Sequence, residues 1–306
     1  MEMGAVQAAE ASPAISPAWA AVARDYVTLT KPRIMSLLVL TSVCAMLAAA
    51  GGAPQPLALV ALVVGGGLAC GGASALNHVL DRDIDRLMGS RTASRPVAAG
   101  RIDPLRAAAF GIALSALSFV ILTAFDNLLA AALALSGGAF YVFVYTLWLK
   151  RSTTQNIVIG GAAGAIPPLA GWAAARGSLG LGAAFLFVIV LLWTPPHFWA
   201  LALLLAPQYE AAQIPMLPVV RGTSATTRQV LAYTLVLAVA TLAPAVVGTF
   251  GPIYLVCAGL LDGVFCVLAW RLWRQGTAAR AAVLFHYSLL YLALLFVAVA
   301  VDAAVH

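Results

Sequence analysis

Nine apolar stretches constrain this chain more than any other feature. They lie near residues 34–53, 57–79, 107–125, 128–148, 156–175, 181–203, 229–249, 252–270 and 281–301. Each is close to the roughly 20 residues that a helix needs to cross the hydrocarbon core of a bilayer. No water is present there to satisfy free N–H and C=O groups, so a lipid-spanning segment must be a helix or part of a closed barrel. Stretches this long and this uniformly apolar predict helices. The chain therefore reads as all-α, a polytopic membrane protein with nine transmembrane helices. It has 63% hydrophobic and only 9% charged residues, whereas soluble domains carry about 25% charged.

The seventeen Lys and Arg residues then give the sidedness. With the N-terminus in the cytoplasm, nine alternating spans put every one except Arg176 on the cytoplasmic side. That is the positive-inside bias of a bacterial cytoplasmic (inner) membrane protein, with the C-terminus on the opposite side. Topology thus explains the net charge of +6. No nucleic acid partner is needed, and anionic membrane lipid is the partner such a face attracts. Residues 1–23, rich in Ala and Pro, are expected to form a disordered tail. They lack the basic start and apolar core of a signal peptide. Residues 24–306 are expected to form a single membrane domain. Cys44, Cys70, Cys257 and Cys266 fall within spans, form no CxxC pair, and read as small buried hydrophobes.

Residues 71–106 hold most of the chemistry. Asn77, Asp81 and Asp85 stand at i, i+4 and i+8, and each four-residue step turns only about 40° further round a helix. Their side chains therefore share one face at the end of a hydrophobic helix, where polar groups are costly to place. Oxygen donors so spaced suit Mg²⁺, which takes one or two carboxylates and keeps positions for waters and phosphate oxygens. Arg91 and Arg95 follow, and guanidinium forks suit phosphate oxygens. Asp83 is out of phase and is expected to pair with an arginine. The bland alternative is a set of salt bridges on a solvated loop. The Asn-x-x-x-Asp-x-x-x-Asp spacing at a membrane boundary favours a diphosphate site.

Two further cytoplasmic loops carry polar residues. The first holds Lys150 and Arg151. The second holds Tyr209 and Glu210, the only acid between Asp126 and Asp262. His78 points about 100° away from Asn77 on a helix. His286 reads as a hydrogen-bonded core histidine. His197 lies in a span directly after two prolines, flanked by Trp193, Phe198 and Trp199. A lone intramembrane histidine is more often structural, but neutral imidazole also ligates metals and haem iron.

The stretch from Asn77 to Asp85, followed by RTASRP at 91–96, resembles the first aspartate-rich motif of the UbiA-type intramembrane prenyltransferases. The stretches YTLWLKRSTTQNIVIGGAAGAIPPLAGW at 145–172, WTPPHFWALAL at 193–203 and IPMLPVV at 214–220 are similar to the haem O synthase branch. That resemblance covers residues 25–300. It implies nine helices in a ring around a central cavity. It also implies transfer of the farnesyl group of farnesyl diphosphate to a vinyl group of haem B, with addition of water, giving haem O and diphosphate. By the same resemblance Asn77, Asp81 and Asp85 hold Mg²⁺, while Arg91, Arg95, Lys150 and Arg151 hold diphosphate. Tyr209, His197 and Trp193 are then expected on the substrates. The branch usually has aspartate where this chain has Gln208, so Glu210 is the expected substitute ligand for a second metal. A haem A synthase or a terminal-oxidase assembly factor is the protein partner the resemblance suggests. Competing readings are a prenyltransferase for a quinone precursor or chlorophyllide, a secondary transporter with acids near the midplane, and a haem-binding subunit without catalysis.

Overall fold

The computed structural model describes residues 18–305, apart from the side chains of Ala18 and Arg91. In chain order the helices are α1 Ala18–Thr30, α2 Pro32–Ala49, α3 Pro56–Leu80, α4 Arg82–Leu87, α5 Ser90–Ala93, α6 Pro104–Phe125 and α7 Leu128–Ala139. The last continues as a π-helical stretch, Phe140–Leu149, and a final turn, α8 Lys150–Ser152. Then follow α9 Asn156–Arg176, α10 Leu181–Leu204, α11 Ala206–Ala211, α12 Leu217–Val246, α13 Pro252–Gln275 and α14 Ala278–Val305. Among the described residues nine helical segments are long and apolar enough to cross a membrane. Of the tail expected through residue 23, residues 1–17 lie outside the described residues, and 18–23 are the opening turns of α1.

Local chemistry sets the helix ends. Proline opens α2, α3, α6 and α13, where its missing N–H costs nothing. Asp103 caps α6 by accepting from the N–H groups of Leu105 and Arg106 at 2.9 and 3.2 Å. Gly177 and Gly276, both at positive φ, stop α9 and α13. The expected seventh span began at 229, but helix is present from Leu217, broken at Gly222 with φ 72°. Hydropathy reports only the lipid-buried part of a helix, so the more polar opening turns escaped it.

Consecutive spans pack side by side, and α14 returns to α2, which closes a ring. The ring is not hollow throughout, because α2 and α9 pack across it. That approach depends on Gly171, where a Cβ would overlap the carbonyl oxygen of Ser42 on α2. Small residues at such a crossing let backbones meet in lipid. Gly171→Val is expected to destabilise the fold by at least about 2 kcal/mol, because the obstacle is backbone and cannot rotate away. Thermal unfolding of the detergent-solubilised protein checks this, and an unchanged midpoint would contradict the packing.

At the end opposite residues 81–103, Asp302 of α14 accepts from the N–H groups of Gly251 and Tyr254 and so stabilises the start of α13. Deeper in the bundle, Asp262 is buried, and its two oxygens accept from Thr241 at 2.6 Å and Tyr291 at 2.7 Å. This midspan acid is fully bonded, which is structural and unlike the open acid of a transporter.

Asp126, between α6 and α7, is the contrasting case. Both carboxylate oxygens are buried without a hydrogen-bond partner among the described residues. Burial pushes its pKa up to about 7. The folded protein thus holds this proton more tightly than the unfolded chain. The resulting stability is fully present below about pH 4 and is lost as pH rises through about 7. Asp126→Asn is expected to raise stability at pH 8, on the order of 2 kcal/mol after allowance for partial exposure, and to change little at pH 4. Melting temperatures of both proteins across that range test it.

Candidate active site

The hydrogen-bond ladder of α3 runs through Asp81 into α4, with Asp81 N–H on Asn77 O at 2.9 Å and Asp85 N–H on Asp81 O at 2.8 Å. Asn77, Asp81 and Asp85 consequently share one face, as their spacing predicts, and are 3%, 1% and 1% exposed. Asp83 points the other way and takes a two-pronged bond from Arg151 at 2.7 and 2.9 Å. That bond holds the Asp83 carboxyl down at about 2. The expected arginine partner of Asp83 is therefore Arg151, which also donates to Leu80 O at 2.8 Å.

Cations line the buried face. Lys150 Nζ donates to Asp81 Oδ2 at 2.6 Å, and Arg95 donates to Asp85 Oδ1 at 2.6 Å. Arg151 lies 3.8 Å from the other Asp81 oxygen. Asn77 Nδ2 donates to Asp81 Oδ2 at 2.8 Å and to Thr146 Oγ1 at 3.1 Å. Thr146 in turn donates to Tyr141 O five residues back, at 2.9 Å. The π-helical stretch makes this bond available and brings Thr146 and Lys150 to the same cluster. Arg91 lies on α5 within the same loop, but its side chain is outside the described ones.

One central residue escaped the sequence reading. Lys31 Nζ donates to Asn77 Oδ1 at 2.7 Å. Burial, then the nearby Arg95 and Lys150, lower its pKa to about 7. Lys31 also holds φ 50°, a left-handed conformation that side-chain-bearing residues rarely adopt. The following Pro32 disfavours the ordinary α conformation for it. Sequence had shown only a basic residue before a span, which reads as an interfacial anchor. Packing of α1 and α2 against α3 brings position 31 to position 77.

The second loop arrives through α11. Tyr209 is 6% exposed and within electrostatic reach of Asp81 and Arg95, and burial pushes its hydroxyl up to about 12. Glu210 is exposed and is not gathered with the other candidate ligands. Gln208 instead has its carbonyl oxygen buried and unpartnered. Two residues are about 200° apart on a helix, so 208 and 210 cannot both face inward. His78 is buried with neither ring nitrogen bonded, and Asn156 is 0% exposed with an unpartnered amide. His286 does bond, to Ala282 O at 2.7 Å, but it is exposed on the outer surface instead of lying in the core.

The donor set fits Mg²⁺. Asp81 Oδ1 and Asp85 Oδ2 are both buried and lack a hydrogen-bond partner. A buried carboxylate oxygen left open is costly unless something binds it. Among the described residues no group of three or more His, Cys, Asp or Glu that could hold a metal comes together. Mg²⁺ can be held by one or two carboxylates, with its other positions left to phosphate and water.

Beside the cluster lies an apolar cavity of about 240 Å³ between α3, α6 and the α7 segment. Ala73 and Val142 are among its walls, each four residues from the bonded pair Asn77 and Thr146. It opens towards lipid at Ile112 and Phe143, both exposed. The His197 ring of α10 is stacked on by Trp193 of the same helix and by Phe285 of α14, with centroids 4.3 and 4.9 Å away.

A model of the UbiA prenyltransferase family matches residues 38–298. The protoheme IX farnesyltransferase of Gloeobacter violaceus is 52% identical over 292 residues, with 94% of each chain covered. That of Roseiflexus sp. (strain RS-1) is 51% identical over 92% of this chain, which spans 53%, about half, of that relative. A digeranylgeranylglyceryl phosphate synthase structure superposes with a TM-score of 0.77 at 18% identity, over 93% of this chain and 99% of that one. A UbiA homolog from Archaeoglobus fulgidus, solved bound to GPP and Mg²⁺, gives 0.69 at 15% identity, over 90% and 99%. At such identities the likeness is one of fold. The family match runs from the first span into the last, and about half of all residues are identical to a relative of equal extent, so this chain belongs to the UbiA prenyltransferase family.

Proposed function

We propose that the protein transfers the farnesyl group of farnesyl diphosphate to a vinyl group of haem B, with addition of water, giving haem O and diphosphate. The observation that carries this reading is the buried pair Asp81 and Asp85. Each has one oxygen hydrogen-bonded to a cation and one buried oxygen without a hydrogen bond. The substrates are those implied by the relatives' name, protoheme IX farnesyltransferase.

Arg95 and Lys150 stand against two buried carboxylates, with Lys31, its pKa lowered to about 7, beside them. An arriving diphosphate favours the charged form of Lys31 and is oriented by all three side chains. Asn77, Asp81 and Asp85 would hold Mg²⁺, which when bound neutralises the charge that develops on departing diphosphate. Arg95 and Lys150 supply fixed donors to the same oxygens in a setting where water does not screen them. Arg151 extends the cationic wall. The farnesyl chain follows the apolar cavity beside Ala73 and Val142. Tyr141, Tyr145 and Tyr209 exclude water from the allylic cation, and an aromatic face stabilises such a charge by about 1 kcal/mol. In this reading the cluster faces the cytoplasm, where the basic loops lie.

Purified protein given haem B, farnesyl diphosphate and Mg²⁺ tests the proposal, with products read by mass. A product heavier than haem B by one farnesyl group and one hydroxyl is expected. Its absence, with the protein monodisperse and folded, would sink the reading.

Gln208 now replaces Glu210 as the inward-facing residue of the second loop. Glu210→Gln is expected to leave the Mg²⁺ dependence of the rate unmoved. Gln208→Asp is expected to lower the half-maximal Mg²⁺ concentration several-fold, because a carboxylate binds Mg²⁺ better than an amide. Superimposable curves for Gln208→Asp and the unaltered protein would remove position 208 from the metal site.

A further inference from the structure

Ser288 of α14 has one hydroxyl proton and two short contacts. Its Oγ lies 2.6 Å from Phe285 O and 2.6 Å from His197 Nδ1. A carbonyl oxygen has no proton to give, so the first contact must use the serine's own. The second must then be protonated from the histidine side. His197 is therefore the Nδ1–H tautomer, and Nε2 carries the lone pair. Nε2 makes no hydrogen bond among the described residues, and the side chain is only half-buried. The ring has little freedom to turn: Trp193 and Phe285 stack on it within 15° and 24° of parallel, and Trp193 is itself tied by Nε1–H to Ser288 O at 2.9 Å.

We infer that Ser288 is a positioning residue that fixes the His197 tautomer and aims Nε2 at the iron of the porphyrin substrate. This rests on the proposed use of haem B. An imidazole that ligates a metal through one nitrogen commonly donates from the other to an oxygen, which sets the tautomer and raises ligand basicity. Ser288 and His197 provide that arrangement before any ligand is present. Pro195 and Pro196 have no N–H, so two ladder bonds are missing in the turn before His197. The place is also suitable. His197 is seven residues from the end of α10, about 10 Å along the axis. That end leads into α11, whose Tyr209 reaches Asp81 and Arg95. A macrocycle held at Nε2 would lie on the apolar side of the diphosphate cluster.

The test is an absorbance titration of the full-length, detergent-solubilised protein with ferric haem B. The unaltered protein is expected to show a histidine-ligated spectrum. His197→Ala is expected to lose that spectrum and to regain it with added imidazole. Ser288→Ala is expected to weaken haem affinity about 10- to 100-fold, and Ser288→Thr, which keeps the hydroxyl, to retain it. A mere packing role for Ser288 would leave the ligation spectrum and affinity of Ser288→Ala unchanged, and that result overturns the inference. So does an unaltered spectrum in His197→Ala. Either result alongside normal farnesylation of haem B leaves the functional reading standing. Failure of the unaltered protein to convert haem B removes the functional reading and this inference together.

Discussion

Asp81→Ala and Asp85→Ala are each expected to lower turnover about a thousandfold, close to 4 kcal/mol in the barrier. The expectation follows from what each carboxylate does. Asp81 and Asp85 each keep one buried oxygen without a hydrogen bond. Each also anchors a basic residue, Lys150 at 2.6 Å and Arg95 at 2.6 Å. On the proposed assignment, removing the carboxylate takes away a Mg²⁺ ligand and releases a diphosphate donor from its position. Metal-assisted charge stabilisation is worth several kcal/mol by itself. Asp81→Asn and Asp85→Asn separate charge from shape, since they keep the volume and lose most of the metal affinity. They should be nearly as impaired as the alanine variants. Initial rates of haem O formation decide the matter, with elution profile and melting temperature as controls for folding. Near-normal rates in both alanine variants would refute the metal assignment.

Lys31→Ala should lower kcat/KM by about 100-fold, the usual loss for one fixed donor to a developing negative charge. Lys31 strains the backbone at φ 50°, and its nitrogen is delivered to Asn77 beside Asp81 and Asp85. A strained residue of this kind costs about 1 kcal/mol and persists only where its surroundings enforce it. Lys31→Gly therefore makes a sharp comparison. Glycine accepts this φ freely, so the variant should be no less stable than Lys31→Ala while being equally impaired. Lys31→Arg keeps the charge but places a wide planar fork in a space shaped for an ammonium, and should recover only part of the rate. Rates within about threefold of the unaltered protein for both Lys31→Ala and Lys31→Gly would exclude Lys31 from the site.

Position 31 also shows where sequence reading fails. Asn77, Asp81 and Asp85 were legible because helix periodicity is local: three side chains four residues apart share a face whatever the rest of the chain does. The role of Asp83 followed from the same geometry. Lys31, Thr146 and Lys150 come to that face from two other spans, and no spacing rule links positions 31, 77 and 146. Residues 208 and 210 differ for a related reason. Glu210 was the candidate, as the loop's lone acid beside the position where Gln208 replaces the branch's aspartate, but the rotation of α11 selects which side chain is buried, and packing sets that rotation. The π-helical turns at Phe140–Leu149 left no hydropathy signal, since every residue in them is compatible with an ordinary spanning helix.

The sequence by itself determined that nine helices would cross a membrane, that most charge would lie at one end, and that an Asn–Asp–Asp face would stand there. These features arise from backbone hydrogen bonding in lipid, from the cost of moving cations across it, and from helical periodicity, all acting over a few residues at a time. Only the tertiary structure decided that α2 and α9 cross at Gly171, that Lys31 bonds Asn77, that Gln208 rather than Glu210 faces inward, and that Ser288 holds His197 by Nδ1. Each of these depends on how separate segments pack against one another. In lipid that packing is decided by side-chain fit and paired polar groups, because apolarity alone does not distinguish one neighbour from another.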